Sequence, residues 1–190
     1  MTDRIRHTLP TIAGAAGPPP LSPHPVDVLI RESIDTGRRV QPDEVDQIVE
    51  RVATAPFDSR VIPVPTKYRG LSYQGRVLGA RETALWYHLF IRIVANEQWA
   101  HGVTAVDYVA DLRQVVRLPD SRIVVYTRRG GNIVGIIGSS DRGILKAHRG
   151  ANNKSECYVV YSADRGIIIS GYQFEDFGEI ALSGNERWIR

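Results

Sequence analysis

Between Asp141 and Glu156 the chain reads DRGILKAHRGANNKSE, a basic and polar stretch set between two almost purely apolar runs. It carries Arg142, Lys146, His148, Arg149 and Lys154. From Arg122 to Lys154 there are seven Lys or Arg residues against a single acid, Asp141. Imidazoles titrate near neutrality and suit proton transfer, and His148 and His101 are the candidates for it. Lys146 can supply positive charge. Ser170 and Tyr172 stand two apart in a strand-like run, so they share one face of a sheet and can reach a common ligand.

Together these residues form the inventory of a metal-free centre acting on a phosphodiester. A base takes the proton of a ribose 2′-hydroxyl, cations hold the charge growing on phosphorus, and an acid protonates the departing oxygen. His148, Lys146, Ser170, His101 and Tyr172 are the expected catalytic set. Arg128, Arg129, Arg142, Arg149 and Lys154 are the expected RNA-contacting cations. No metal and no cofactor are expected: the five histidines fall at no metal-ligand spacing, and Cys157 is the only cysteine. Signatures of phosphate-loop, dinucleotide, zinc-protease and serine-hydrolase sites are absent.

The elements that must hold this set are legible in the periodicity. Residues 1–25 are rich in Gly and Pro and read as a disordered leader. Residues 26–58 read as a small helical preface. One helix runs from Val26 to Thr36 and ends at Gly37; the other follows Pro42, with Val45, Ile48, Val49 and Val52 on one face. Residues 59–190 read as the main α+β domain. Pro63 and Pro65 exclude a central strand early in it. Residues 80–100 then form one strongly apolar helix, whose polar stripe of Arg81, His88 and Arg92 faces solvent. A further helix starts at a capping box, Thr104 with Asp107. Two hairpins follow, IVVYT–RRGGN–IVGIIG and CYVVY–SADRG–IIISGY, and a third small one is expected around Ser183-Gly184-Asn185. Helices first and a meander afterwards describe helices packed on one face of an antiparallel sheet.

The net charge of +3 leans weakly toward anionic partners. No apolar run approaches the roughly 18 residues that a membrane span needs, and the N-terminus lacks a signal-peptide core, so a cytoplasmic protein is expected.

The helix TAVDYVADLRQVVRLPDS, the strands RIVVYT, NIVGIIG and CYVVYS, and the closing IIISGY together resemble the barnase–EndoU–colicin–RelE superfamily of toxin-like ribonucleases. Ser170-Gly171-Tyr172 is similar to the hydroxyl, small, aromatic ending of the last strand in its toxin branches. The resemblance implies a metal-independent endoribonuclease acting on tRNA or another cellular RNA, with an antitoxin or immunity protein as partner. It leaves His88, His101 and His148 competing for one role. A second stretch, TKYRGLSYQG, resembles the Tyr-Arg-Gly strand of ADP-ribosyltransferase toxins. There Arg69 would bind NAD, Ser139 in IIGSS would follow, and Glu179 would be the catalytic acid. Phe177 stands where that family usually carries a second Glu or Gln. A non-catalytic module that binds nucleic acid or protein is the third alternative.

Overall fold

The computed structural model describes residues 23–180, 182 and 184–190; nearly all of the expected leader lies outside them. Helices α1 (Pro25–Thr36) and α2 (Pro42–Thr54) come first. Two small ribbons follow, β1 (Val61–Pro63) with β4 (Arg81–Thr83), and β2 (Ser72–Tyr73) with β3 (Arg76–Val77). Helix α3 (Ala84–Leu89) runs directly into a π-helical turn, Phe90–Ala95. Helix α4 (Ala105–Val116) begins at the Thr104–Asp107 capping box. Strands β5 (Arg122–Arg128), β6 (Gly131–Ser139), β7 (Glu156–Ser162) and β8 (Ile167–Phe174) form an antiparallel meander, with a short helix α5 (Ser140–Gly143) between β6 and β7. Strand β9 (Arg187–Trp188) completes a five-stranded sheet in the order β8-β7-β6-β5-β9.

The chain is therefore mixed α+β, with its helices mostly ahead of the meander. Three sequence expectations change. Residues 80–100 are not one helix, because Arg81–Thr83 pairs with Val61–Pro63 as a strand before the helix starts. Among the described residues of the tail no hairpin forms around Gly184; Trp188 and Arg187 pair with Val124 and Val125 at the sheet edge. The 141–156 connector is not an open loop, since it holds α5 and a 3-10 turn at Lys146–His148.

The strands read as apolar throughout because both faces of the sheet are covered. On one face Ile123, Val125, Val134, Ile136, Cys157 and Val159 meet α1, α2, α3 and α4 in one core. Ile30 of α1 and Ile48 and Val52 of α2 are fully buried in that core, so the 26–58 preface packs on the same layer. The buried Asp27 ties α1 to α2 through Arg51 at 2.7 Å and to β7 through the Tyr161 hydroxyl. On the other face Val124, Tyr126, Ile133, Ile137, Tyr158, Val160 and Phe174 are covered by Ile180 and Leu182 of the C-terminal segment. The β5–β6 turn needs two left-handed residues, Arg129 at φ 51° and Gly130 at φ 77°, as a two-residue hairpin turn requires.

A bulge at Val160/Tyr161 shifts the register of β8, so that Val160 faces Ser170 and Tyr158 faces Tyr172. Ser170 and Tyr172 therefore lie on the Tyr158 side, and Gly171 turns toward α4. A Cβ at Gly171 would stand 2.4 Å from Leu112 Cδ2. Gly171→Ala should lower unfolding stability by about 1–3 kcal/mol, the range for overpacking a filled core. A urea midpoint equal to wild type would show that Leu112 yields freely.

Candidate functional site

Strand β8 is an edge strand, and its outward backbone groups find partners between Pro56 and Tyr108, α4 included. Ile168 is bridged by Pro56 and Asp58, its N–H donating to Pro56 O and its carbonyl accepting from Asp58 N. The carbonyl of Gly171 accepts twice, from Arg92 Nε at 3.1 Å and from the Tyr108 hydroxyl at 2.8 Å. Gln98 Nε2 donates to Gln173 O at 2.6 Å, and Gln173 N donates back to Gln98 Oε1. An edge capped in this way cannot pair with another strand. It also places α3 and the π turn directly against Ser170-Gly171-Tyr172.

Four side chains meet there. Ser170, only 8% exposed, has its Oγ 3.3 Å from Nδ1 of His88. The guanidinium of Arg92 lies 4.8 Å from the centre of the Tyr172 ring. The His88 ring is flanked by Phe57 at 6.0 Å and Tyr87 at 5.2 Å. Burial, then repulsion by Arg92, pull the His88 pKa down to about 3 against a weaker opposing effect of Asp58, so the imidazole is neutral at pH 7. Burial pushes the Tyr172 phenol upward, which keeps its proton in place. The face that was expected to be solvated thus grips the strand instead. The four-residue spacing of His88 and Arg92 was the available signal. The π turn that carries Arg92 had none, although such turns recur at functional sites.

His148 belongs to a different cluster. Its Nδ1 lies 3.0 Å from Asp111 Oδ2 of α4, and the same carboxylate accepts from Trp99 Nε1 at 3.1 Å. A carboxylate acceptor places the imidazole proton on Nδ1 and leaves Nε2 without a protein partner among the described residues. Asp111 is 1% exposed, and burial raises its pKa against the lowering effect of His148 and Trp99. Backbone bonds seat the whole connector on residues 97–100: Ala100 N donates to His148 O, Gly150 N to Gln98 O and Asn152 N to Glu97 O. Lys146 and His101 are exposed beside this platform.

The expected catalytic set is therefore divided. Lys146, His148 and His101 lie at the end of the sheet where β6 passes to β7, on the α4 side. Ser170 and Tyr172 lie along β8 on the other face, with His88 and Arg92. No hydrogen bond or ion pair joins the two groups directly among the described residues. The expected cations are divided as well. Arg128 and Arg129 sit at the opposite end of β5 and β6 from the connector. Arg149 pairs with Asp141 at 2.8 Å, Lys154 with Glu175 at 3.4 Å, and Arg142 with Asp120. No continuous basic track follows from their placement.

Arg69, Ser139 and Glu179 are also not brought together. Arg69 Nε donates to Val64 O; Glu179 Oε1 accepts from Glu175 N and Asp176 N; Ser139 ends β6. Cys157 is fully buried and burial raises its thiol pKa. Among the described residues no group of three or more His, Cys, Asp or Glu is placed to hold a metal ion, and no helix is long and apolar enough to cross a membrane. Comparison with family models, curated proteins and solved structures returned no match for the chain. The functional reading therefore rests on geometry.

The His88 environment sets a pH dependence. Its pKa is ordinary at 6.5 when unfolded and about 3 when folded, so below pH 6.5 the unfolded chain binds the extra proton. Stability should accordingly fall as the pH drops from 6.5 toward 3. His88→Gln should flatten that decline in urea unfolding measured from about pH 7 to about pH 4. Parallel profiles for variant and wild type would show that His88 is not held neutral.

Proposed function

We propose that the chain is a metal-independent endoribonuclease whose centre is the cluster of His88, Arg92, Ser170 and Tyr172. The observation that carries this reading is the 3.3 Å approach of Ser170 Oγ to His88 Nδ1. It favours His88 over His101 and His148, because it links that ring to the hydroxyl, small, aromatic ending on which the ribonuclease resemblance rests.

In the chemistry this arrangement supports, the Nδ1 lone pair of neutral His88 accepts the proton of the ribose 2′-hydroxyl. The freed oxygen forms a bond to the adjacent phosphorus, and the bond from phosphorus to the 5′-oxygen breaks. Ser170 turns its hydroxyl from His88 to a non-bridging phosphate oxygen. Arg92, already fixed by the Gly171 carbonyl, faces the charge that grows there. The phenol of Tyr172 protonates the departing 5′-oxygen and recovers a proton from the imidazolium through solvent. The products are a 2′,3′-cyclic phosphate and a 5′-hydroxyl. On this reading Lys146, His148, His101 and the connector cations contact RNA outside the reacting centre, and an antitoxin or immunity protein is the regulatory partner.

Purified protein incubated with total tRNA in EDTA should yield fragments ending in cyclic phosphate. His88→Ala should slow cleavage about 100-fold or more, the scale of a lost general base. RNA left intact by correctly folded wild type would overturn the reading. His148→Ala separates the two clusters: cleavage of short substrates should stay within about threefold of wild type, whereas a loss as large as that of His88→Ala would move the centre to the connector.

A further inference from the structure

Between the α1–α2 connection and strand β9 lies a cleft of about 530 Å³, at the opposite edge of the sheet from β8. Its walls carry three arginines, Arg39, Arg187 and Arg190, against one acid, Asp46. Val40, Val45 and Ile189 supply an apolar side.

The two half-buried arginines of the tail are fixed by neutral groups. Arg187 Nη2 donates to the carbonyl of Ser33 in α1 and, at 2.7 Å, to its hydroxyl. Arg190 Nε donates to Ser121 O at 2.9 Å, and its Nη2 donates to Leu118 O at 3.3 Å and to Ser121 Oγ. These bonds hold both guanidinium planes still. They leave Nε and Nη1 of Arg187 and Nη1 of Arg190 without a protein partner among the described residues, and none of these three nitrogens is closed off from solvent. Arg187 Nη1 stands 3.7 Å from the point where a Cβ on Gly37 would lie, and Gly37 is itself part of the cleft wall.

The positive charge here is under-compensated. Arg38, next in the chain, pairs with Glu44 at 2.9 Å, whereas Arg39, Arg187 and Arg190 form no ion pair among the described residues. Burial pulls the Arg190 pKa below its ordinary value against the weaker opposing pull of Asp46 and Asp120, and Asp120 already pairs with Arg142. A cleft that gathers such cations favours an anion. Three guanidiniums less one carboxylate leave two positive charges, which matches a phosphate monoester at about −2 near neutral pH. Fixed guanidinium forks also suit its oxygens, which accept paired N–H groups. The cleft has room beyond a bare phosphate, and its apolar side meets an organic group attached to it.

We infer that this cleft binds a small organic phosphate monoester. The phosphate sits on Arg39, Arg187 and Arg190, and the body of the ligand lies against Val40, Val45 and Ile189. The site is separate from the His88 cluster and does not depend on the ribonuclease reading.

Phenyl phosphate is the probe, titrated calorimetrically into the full chain in chloride buffer at about pH 7.5, where it is a dianion. It should bind saturably. Phenyl sulfate, of the same shape with one charge fewer, should bind about tenfold more weakly. Inorganic phosphate should also bind more weakly, because it leaves the apolar side bare. Arg39→Gln removes an exposed side chain that makes no bond in the fold and should weaken phenyl phosphate about tenfold. Asp46→Asn removes the opposing charge and should tighten it about threefold. No saturable binding to wild type overturns the inference. Equal affinities for phenyl phosphate and phenyl sulfate overturn it too, as does an affinity that neither substitution moves. Cleavage of tRNA, or its absence, bears on none of these outcomes.

Discussion

The Gly171 carbonyl is the point on which the arrangement of this protein turns. It belongs to an edge strand, where an unpaired backbone acceptor would invite a foreign strand or remain unsatisfied. Two donors from different elements close it, Arg92 from the π turn and Tyr108 from α4. Because Arg92 uses Nε for this bond, its guanidinium is held over the Tyr172 ring. Because α3 must lie close enough for Arg92 to reach, His88 one turn earlier is brought to Ser170. Gly171 itself is required by the same contact, since any side chain there would meet Leu112. One backbone acceptor thus couples edge protection, helix placement and the only side-chain hydrogen bond between a histidine and a hydroxyl among the described residues.

The second histidine cluster answers a different constraint. The connector between β6 and β7 is polar and must be tied down where it crosses α4. Asp111 does this from below, collecting Trp99, His148 and, at 3.5 Å, the Leu145 N–H around one buried carboxylate. Burial raises the pKa of that carboxylate, and the donors around it offset the cost of keeping it charged. Removing the carboxylate would strand the Trp99 indole N–H inside the core. This explains why a histidine in a basic, glycine-containing stretch attracts notice in the sequence while its ring nitrogen is spent on packing. Arg149 and Lys154 are spent similarly, on Asp141 and Glu175. Counting cations along a chain overstates the field they make once acids from distant elements pair with them.

Much of the fold was legible because it rests on local rules. Pro42 at the start of α2, the Thr104–Asp107 box and the Arg129-Gly130 turn all act within four residues, and each lies where the sequence places it. The failures are non-local. Arg81–Thr83 is helix-compatible by pattern and becomes a strand only because Val61–Pro63 lies beside it. The Ser170–His88 contact spans 82 residues, so no spacing rule reaches it. Ser170 and Tyr172 were legible as a pair from strand alternation, but the alternation cannot say which face they take. That was decided by the bulge at Ile169, the extra residue facing Val160/Tyr161, which reverses the sides of every residue after it. The same one-residue slip is what separates Ser170 from the connector.

If the ribonuclease reading proposed above holds, the electrostatics of the His88 cluster bear on how such a centre would become active. In the free protein Arg92 and burial both disfavour the imidazolium, and a base so weak abstracts a hydroxyl proton slowly. A phosphate bound beside Arg92 would bring negative charge toward His88. It would oppose the Arg92 repulsion and favour the protonated ring, so the base would strengthen as the substrate seats. Burial would still weaken the ring, and the gain would be partial. Sugar or base alone supplies no such charge and would leave His88 as it is. The neutral histidine and the adjacent arginine are therefore not at odds. On the ribonuclease reading proposed above, their juxtaposition would make proton transfer depend on the bound anion.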